Sequence, residues 1–404
     1  MPKVSTDKTK IEELLNKGVE QIFPTKDDLE KVLVSGKKIK LYCGFDPSAT
    51  TLHVGNAILL KKLAQFQELG HEVIFLIGDF TGMIGDPTDK TAARKKLTRK
   101  QVLANAKNYK KQAVTFLKFN GSNPAKILYN SEWSDKLSFT DLIELSSKFT
   151  VQQMIQRDMF QERLKENKPI YLHEFLYPLA QGYDSVAMDV DLEIGGNDQM
   201  FNMMAGRDLM KAVKNKEKFV LTMKLLVDPS GKKMGKSEGN MITLEDSAED
   251  IYGKAMSYPD TMIINGLELL TNISLEVIEN IKKSLEEGEN PMNYKKTMAF
   301  EIVKTIKGKE EAQTAQKHFE STVQKKETPE QVTSYKLQVT KINIIDLLIE
   351  VKLASSKSEA RRLIEQGGIK IDGEVVENVG KEVEITKEGI LVQRGKRQFV
   401  RVTN

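Results

Sequence analysis

KIKLYCGFDPSATTLHVGNAILLKKLAQFQELGHEVIFLIGDF, Lys38 to Phe80, reads as strand, loop, helix and strand. Ile39 to Cys43 is a short strand candidate. Leu59, Leu63 and Phe66 fall at i, i+4 and i+7, the stripe of an amphipathic helix. Gly70 ends that helix, and Glu72 to Ile77 is a second strand of the buried type. Such a βαβ unit implies a parallel sheet with a right-handed crossover. Ligands of parallel sheets sit at the carboxyl ends of the strands. Both loops that follow these strands, CGFDPSATTLHVG and GDFTGMIGDPTDK, are rich in Gly, Asp, Thr and Pro. Further on, Leu192 to Gly195 reads as another strand, leading into a helix that starts near Asp198.

The remaining composition narrows the class. With 404 residues, two or three domains are expected. The single cysteine, Cys43, allows no disulfide within the chain, which suits a reducing, cytoplasmic setting. One Cys and four His do not furnish a structural metal site, so none is expected. The start, MPKVSTDKTK, is polar and is not a signal peptide. No apolar run approaches the roughly 20 residues that span a bilayer, so no membrane partner is expected. The net charge of +4 is too small to argue for nucleic acid, but its distribution is uneven. Between 89 and 118, ten Lys and Arg residues, Lys90 and Arg94 among them, face one acid, Asp89. That stretch is either a solvated helix face or a phosphate-facing surface.

Residues 139 to 166 look helical, and the pattern after Ile242 is almost wholly helical to about His318. Residues 321 to 340 are polar and read as a linker. The tail from Lys341 is a separate small unit. Ser356 and Glu359 form a capping box, Ala360, Leu363 and Ile364 give a buried helix face, and Arg361 and Arg362 point outward. GIKIDGEVV is a hairpin turning at Asp372-Gly373, and Arg394, Lys396, Arg397 and Arg401 cluster near the end. A basic helix plus hairpin suits structured RNA read by shape and phosphates.

Three constellations carry chemistry. In HVGN, His53 to Asn56, Gly55 lets phosphate approach the backbone at a helix start, and His53 adds a donor. In KMGKS, Lys233 to Ser237, two ammonium groups three residues apart can close onto a leaving pyrophosphate. Alone, each segment reads better as an ordinary turn. Together on a parallel-sheet protein they point to a site for the triphosphate of ATP. Tyr177, Gln181 and Asp184, at i, i+4 and i+7, share one helix face and could grip a small zwitterion bearing a hydroxyl. Pro178 then belongs in the first helical turn or at a kink.

With LYCGFDPSATTLHVGN, TGMIGDPTDK, YPLAQGYD, IGGNDQ and KMGKS in this order, the chain resembles the class I aminoacyl-tRNA synthetases and, more narrowly, the bacterial-type tyrosyl-tRNA synthetases. The resemblance covers nearly the whole chain. It implies an α/β fold: a Rossmann-like parallel-sheet catalytic domain (1–240) with an inserted connective and dimerisation segment (about 88–165). An α-helical domain that meets the anticodon arm (241–325), a linker (326–340) and a small α+β RNA-binding domain of ribosomal-protein type (341–404) would follow. It implies tyrosine activation with ATP and Mg2+, transfer to tRNA, and a homodimer.

Residue by residue, the family pattern implies these roles. Tyr42 and Asp184 bind the substrate phenol. Asp86, Tyr177 and Gln181 bind its α-amino group, with Thr81 nearby, and Gln199 lies near its carboxylate. Cys43, Gly44, Gly196 and Asp198 contact ribose and adenosine, with Asp46 beside them. His53, Lys90, Arg94, Lys233 and Lys236 hold the triphosphate, and Arg361, Arg362, Arg394, Lys396 and Arg397 meet RNA. Two positions depart from the family motifs. Asn56 stands for the second His of HIGH and can donate a hydrogen bond but carries no charge. Gly235 stands for the middle Ser of KMSKS and loosens the loop. Tyr42, Asp184 and the tail separate the chain from the sister enzyme for tryptophan, and His53, Lys233 and Lys236 from an RNA-binding protein without catalysis.

Overall fold

The computed structural model describes residues 4–88, 96–227, 241–321, 333–337, 339–386, 389–395 and 398–404. The chain packs as two compact units, residues 1–246 with 254–307, and residues 247–253 with 308–404.

The first unit is built on a six-stranded sheet. Its strands are β1 (Val19–Phe23), β2 (Lys40–Phe45), β3 (Glu72–Ile77), β4 (Lys126–Tyr129), β5 (Leu192–Gly196) and β6 (Phe219–Met223), in the order β1-β6-β5-β2-β3-β4. All neighbours are parallel except the edge strand β1, which runs antiparallel to β6. β2 leads outward to β3 and β4 on one side, while β5 and β6 lie on the other. The order therefore reverses between β2 and β5, where a ligand crevice opens in such sheets. The expected βαβ unit is present: the helix Val54–Glu68 packs across β2, β3 and β5, and Gly70 takes a φ of 93° where the chain turns back. All of β3 but Glu72 is buried, as its run of Val, Ile, Phe and Leu requires.

His71 sits at this helix-to-strand joint, fully buried, its Nδ1 3.4 Å from the Ile39 N–H that points to it. Burial, with Lys38 a lesser cause, holds its imidazole down to about 4. The folded state thus resists a proton that the unfolded chain takes up near pH 6.5. Stability is expected to fall as pH drops from about 6.5 to about 4 and to level off for this group below that. Urea unfolding at pH 7 and pH 5 checks it: the parent should lose more stability than His71→Phe over that interval, and parallel losses would remove His71 as the cause.

The helices Phe139–Ser146, Val151–Ile155 and Asp158–Lys165 fill the stretch read as helical, and Ile263–Leu270, Leu275–Glu286 and Pro291–Lys307 belong to this same unit. The helix Leu172–Met188 begins earlier than its proline suggests. Pro178 lies in its second turn, where its ring removes one donor from the helix.

In the second unit a five-stranded sheet runs in the order Glu374–Val375, Ile369–Ile371, Ile390–Arg394, Gln398–Thr403 and Thr333–Lys336. It closes over a core that includes Ile344, Leu347, Leu348, Ala360, Ile364, Val392 and Val402. Asp372 and Gly373 both have positive φ, 49° and 91°, the two-residue hairpin expected there. Thr333–Lys336 lies inside the stretch read as linker, yet it pairs in parallel with Gln398–Thr403. Tyr335 and Leu337 pack on the core while Ser334 and Lys336 face out, an alternation too short to stand out in a polar stretch.

Candidate active site

A cavity of about 310 Å³ opens at the carboxyl ends of β2 and β5. β2 supplies Tyr42, Cys43 and Gly44, the loop after it Asp46, and the helix start supplies His53, Gly55 and Asn56. The segment after β3 adds Thr81 and Asp86, the helix Leu172–Met188 adds Tyr177, Gln181 and Asp184, and the end of β5 adds Gly196, Asp198 and Gln199. These fifteen candidates from the sequence all line this one cavity. Lys90, Arg94, Lys233, Lys236, Lys396 and Arg397 lie outside the described residues.

At the helix start, the backbone N–H of Gly55 donates to His53 Nδ1 at 3.1 Å, and the N–H of His53 donates to Asn56 Oδ1 at 3.0 Å. This reciprocal cap orders the first turn. An imidazole nitrogen that accepts cannot carry the proton, so Nε2 is the N–H of His53. Gly55 has a further reason to lack a side chain: a Cβ there would lie 2.8 Å from the His53 ring. The described residues on either side of 228–240 lie beside the first signature. Leu225 and Leu226 line the cavity before residues 228–240, and after them Ile242 accepts from the N–H of Val54 at 3.0 Å.

The expected amino-group binders meet at carboxylates. Tyr177 donates to Asp46 Oδ2 at 2.8 Å and Thr81 to Asp46 Oδ1 at 2.6 Å. Gln199 donates to Asp86 Oδ2 at 2.7 Å, and Thr88 holds the other oxygen through its N–H and hydroxyl. Deeper in, Asp184 is 2% exposed and accepts from Trp133 Nε1 at 2.7 Å and Asn130 Nδ2 at 3.2 Å. Burial pushes its carboxyl well above the usual range, against the pull of those two donors. Burial likewise raises the Tyr42 phenol and the Cys43 thiol, so both stay protonated at neutral pH. The helix that carries Tyr177, Gln181 and Asp184 is fixed at its start by a fully buried, two-pronged pair between Arg163 and Glu174, at 2.6 and 3.1 Å.

Sequence reasoning missed Asn130, Trp133, Ser185, Glu193 and Lys218, which support this floor. Asn130 and Trp133 follow the carboxyl end of β4, and strand position was the signal available for them. In the tail, Arg361 and Arg362 are exposed as expected. Arg394 is held by its own fold, donating to Leu353 O at 2.6 Å and pairing with Glu359 at 2.9 Å. Ser356 caps its helix, but Glu359 bonds Ser355 rather than closing the box.

A parallel sheet with its crevice at the strand-order reversal and a capped HVGN helix start, together with KMGKS later in the sequence, are the features of a nucleotide-activating enzyme of the class I synthetase type. The chain belongs to the family described as tRNA synthetases class I (W and Y), whose model matches residues 35–324. Residues 324–402 match the tyrosine–tRNA ligase SYY-like C-terminal domain. The tyrosine–tRNA ligase of Thermotoga maritima is 43% identical over 392 residues, 96% of each chain. That of Aquifex aeolicus is 42% identical over 97% of this chain and 98% of its own. The fold is shared with the tyrosyl-tRNA synthetase of Archaeoglobus fulgidus complexed with L-tyrosine (TM-score 0.59, 21% identity, 76% of this chain and 99% of that one). A truncated mitochondrial tyrosyl-tRNA synthetase of Aspergillus nidulans gives a TM-score of 0.62 at 22% identity, over 76% of this chain and 92% of that one.

Proposed function

We propose that the chain is a tyrosine–tRNA ligase that works in two steps. A carboxylate oxygen of L-tyrosine attacks the α-phosphorus of ATP; a P–O bond forms, the bond to pyrophosphate breaks, and tyrosyl-adenylate results. A ribose hydroxyl at the 3′ end of tRNA(Tyr) then takes the tyrosyl group, and AMP leaves. The attacking carboxylate is already ionised at neutral pH, so the first step needs no general base. Positioning, and cations aimed at the developing phosphate charge, carry the catalysis.

The observation that carries this reading is the convergence of a buried Tyr42 and Asp184 with Asp46 and Asp86 in one cavity beside the HVGN helix start. Tyr42 and Asp184 would hold the phenol, and the cluster of Asp46, Asp86, Tyr177, Gln181 and Thr81 the α-amino group. Gln199 would lie near the substrate carboxylate, and Cys43, Gly44, Gly196 and Asp198 near ribose and adenosine. His53, Asn56 and the helix N-terminus would face the triphosphate. Lys90, Arg94, Lys233 and Lys236 would neutralise pyrophosphate as it leaves, and Mg2+ would arrive with ATP. The tail, with Arg361 and Arg362 outward, would hold tRNA. Where its tRNA is cytoplasmic, so is the enzyme; among the described residues no helix is long and apolar enough to cross a membrane.

The test is charging. Full-length protein with tyrosine, ATP, Mg2+ and tRNA(Tyr) should give tyrosyl-tRNA; folded protein that forms none would refute the reading.

The same reading includes a homodimer through residues around 130–165, supported by Phe139, Ile143 and Val151, exposed at 77%, 55% and 70%. Sedimentation is expected to show a dimer for the parent and a monomer for Phe139→Asp/Val151→Asp. An unchanged mass in the variant would take this face out of the interface.

A further inference from the structure

Beneath the cavity floor lies a hydrogen-bonded network of which the proposed chemistry uses only Tyr42 and Gln181. Tyr42 Oη is 2.9 Å from Ser185 Oγ, and Lys218 Nζ donates to the same Ser185 oxygen at 2.9 Å. Lys218 also forms a close ion pair with Glu193, whose other oxygen accepts from Gln181 Nε2 at 3.0 Å. Tyr42, Ser185, Lys218 and Glu193 are all at least 98% buried. Ser185 and Lys218 do not line the cavity; they reach it only through Tyr42 and Glu193. The backbone keeps space for this network, since a Cβ at Gly206 would lie 2.6 Å from Lys218 Nζ and 3.0 Å from Ser185 Oγ.

Proton bookkeeping gives the network a direction. The Lys218 ammonium is a donor only, so the Ser185 oxygen accepts from it. The one Ser185 proton then has two destinations: Tyr42 Oη at 2.9 Å or Glu193 at 3.4 Å. The first is an ordinary O–H···O distance and the second lies beyond that range. Glu193 is besides already engaged by Lys218 and Gln181. Ser185 therefore donates to Tyr42, and the Tyr42 proton is left for an acceptor in the cavity or for the Glu193 carboxylate beside it. Asp184, whose two oxygens each already accept one N–H, offers acceptor capacity to the same ligand group.

We propose that Ser185, held by the Lys218–Glu193 ion pair, is a positioning residue that fixes Tyr42 as a hydrogen-bond donor to the para oxygen of the substrate. The ligand group selected is one that accepts from Tyr42 and donates to Asp184 at once, which a phenol does. A para-amino group donates well but is a weak acceptor. Without Ser185, the neighbouring Glu193 carboxylate draws the Tyr42 proton, and Tyr42 presents lone pairs to the ligand instead. This inference rests on the tyrosine-activation reading.

The experiment compares tyrosine with 4-aminophenylalanine in ATP–pyrophosphate exchange, using the full chain, Ser185→Ala, Tyr42→Phe and the double variant. Ser185→Ala should raise KM for tyrosine about fivefold with little change in kcat, the ratio one neutral hydrogen bond is worth. It should also cut the preference for tyrosine over the amino analogue by a similar factor. Both effects should vanish in the Tyr42→Phe background, because Ser185 acts through that hydroxyl. If alanine impairs folding, the nearly isosteric Ser185→Cys, a weak donor, should give the same shift in preference. An unchanged preference, or an equal loss in both backgrounds, overturns the proposal. Failure of the parent to use tyrosine at all would instead overturn the reading it rests on.

Discussion

Asp184→Ala is expected to lower tyrosine-dependent adenylate formation by a factor of about 10² or more. The variant loses a carboxylate acceptor for the phenol and leaves the buried donors of Trp133 and Asn130 without their partner. A hydrogen bond to the phenol is worth about 0.5–1.5 kcal/mol net, and each stranded buried donor costs about 1–3 kcal/mol more. The fold should survive, because burial already disfavours the charge that is removed. The loss should appear mainly in kcat/KM for tyrosine, with KM for ATP little changed. Near-normal activation by a well-folded variant would show that the phenol does not bind at Asp184.

The second large effect concerns the tail. Deleting residues 333–404 should leave pyrophosphate exchange within about twofold of the parent and lower tRNA charging by about a hundredfold or more, the effect of losing several phosphate contacts. The cavity draws its walls from residues 42–226, and the tail packs on a core of its own. The two steps therefore use different parts of the chain. Measuring exchange and charging on one preparation decides it. Losses of equal size in both would mean that the tail serves the catalytic cavity and not the RNA.

The parallel-sheet architecture was legible in Lys38 to Phe80, because a buried strand and an amphipathic helix differ in period and the βαβ link allows one handedness. The cavity walls were legible too. Tyr177, Gln181 and Asp184 share a face by helical spacing, and HVGN marks a helix start by its residue types. Ser185, Glu193 and Lys218 were not legible. They come from a helix, a strand and the segment just before another strand, and nothing local marks a lysine that will be fully buried against a glutamate. Arg394 shows the converse. Its charge and neighbourhood suggested RNA, but Glu359 and the Leu353 carbonyl lie within its reach, and only tertiary structure brings them there. Gly55 was read for one reason and has a second, since the His53 ring occupies the space its side chain would fill.

The most direct measurement is exchange of pyrophosphate into ATP without tRNA, run separately with tyrosine, phenylalanine and tryptophan. The account predicts exchange with tyrosine alone, because Tyr42 and Asp184 together demand a hydroxyl that both accepts and donates. Comparable exchange with phenylalanine or tryptophan, or none with tyrosine from folded protein, would contradict it.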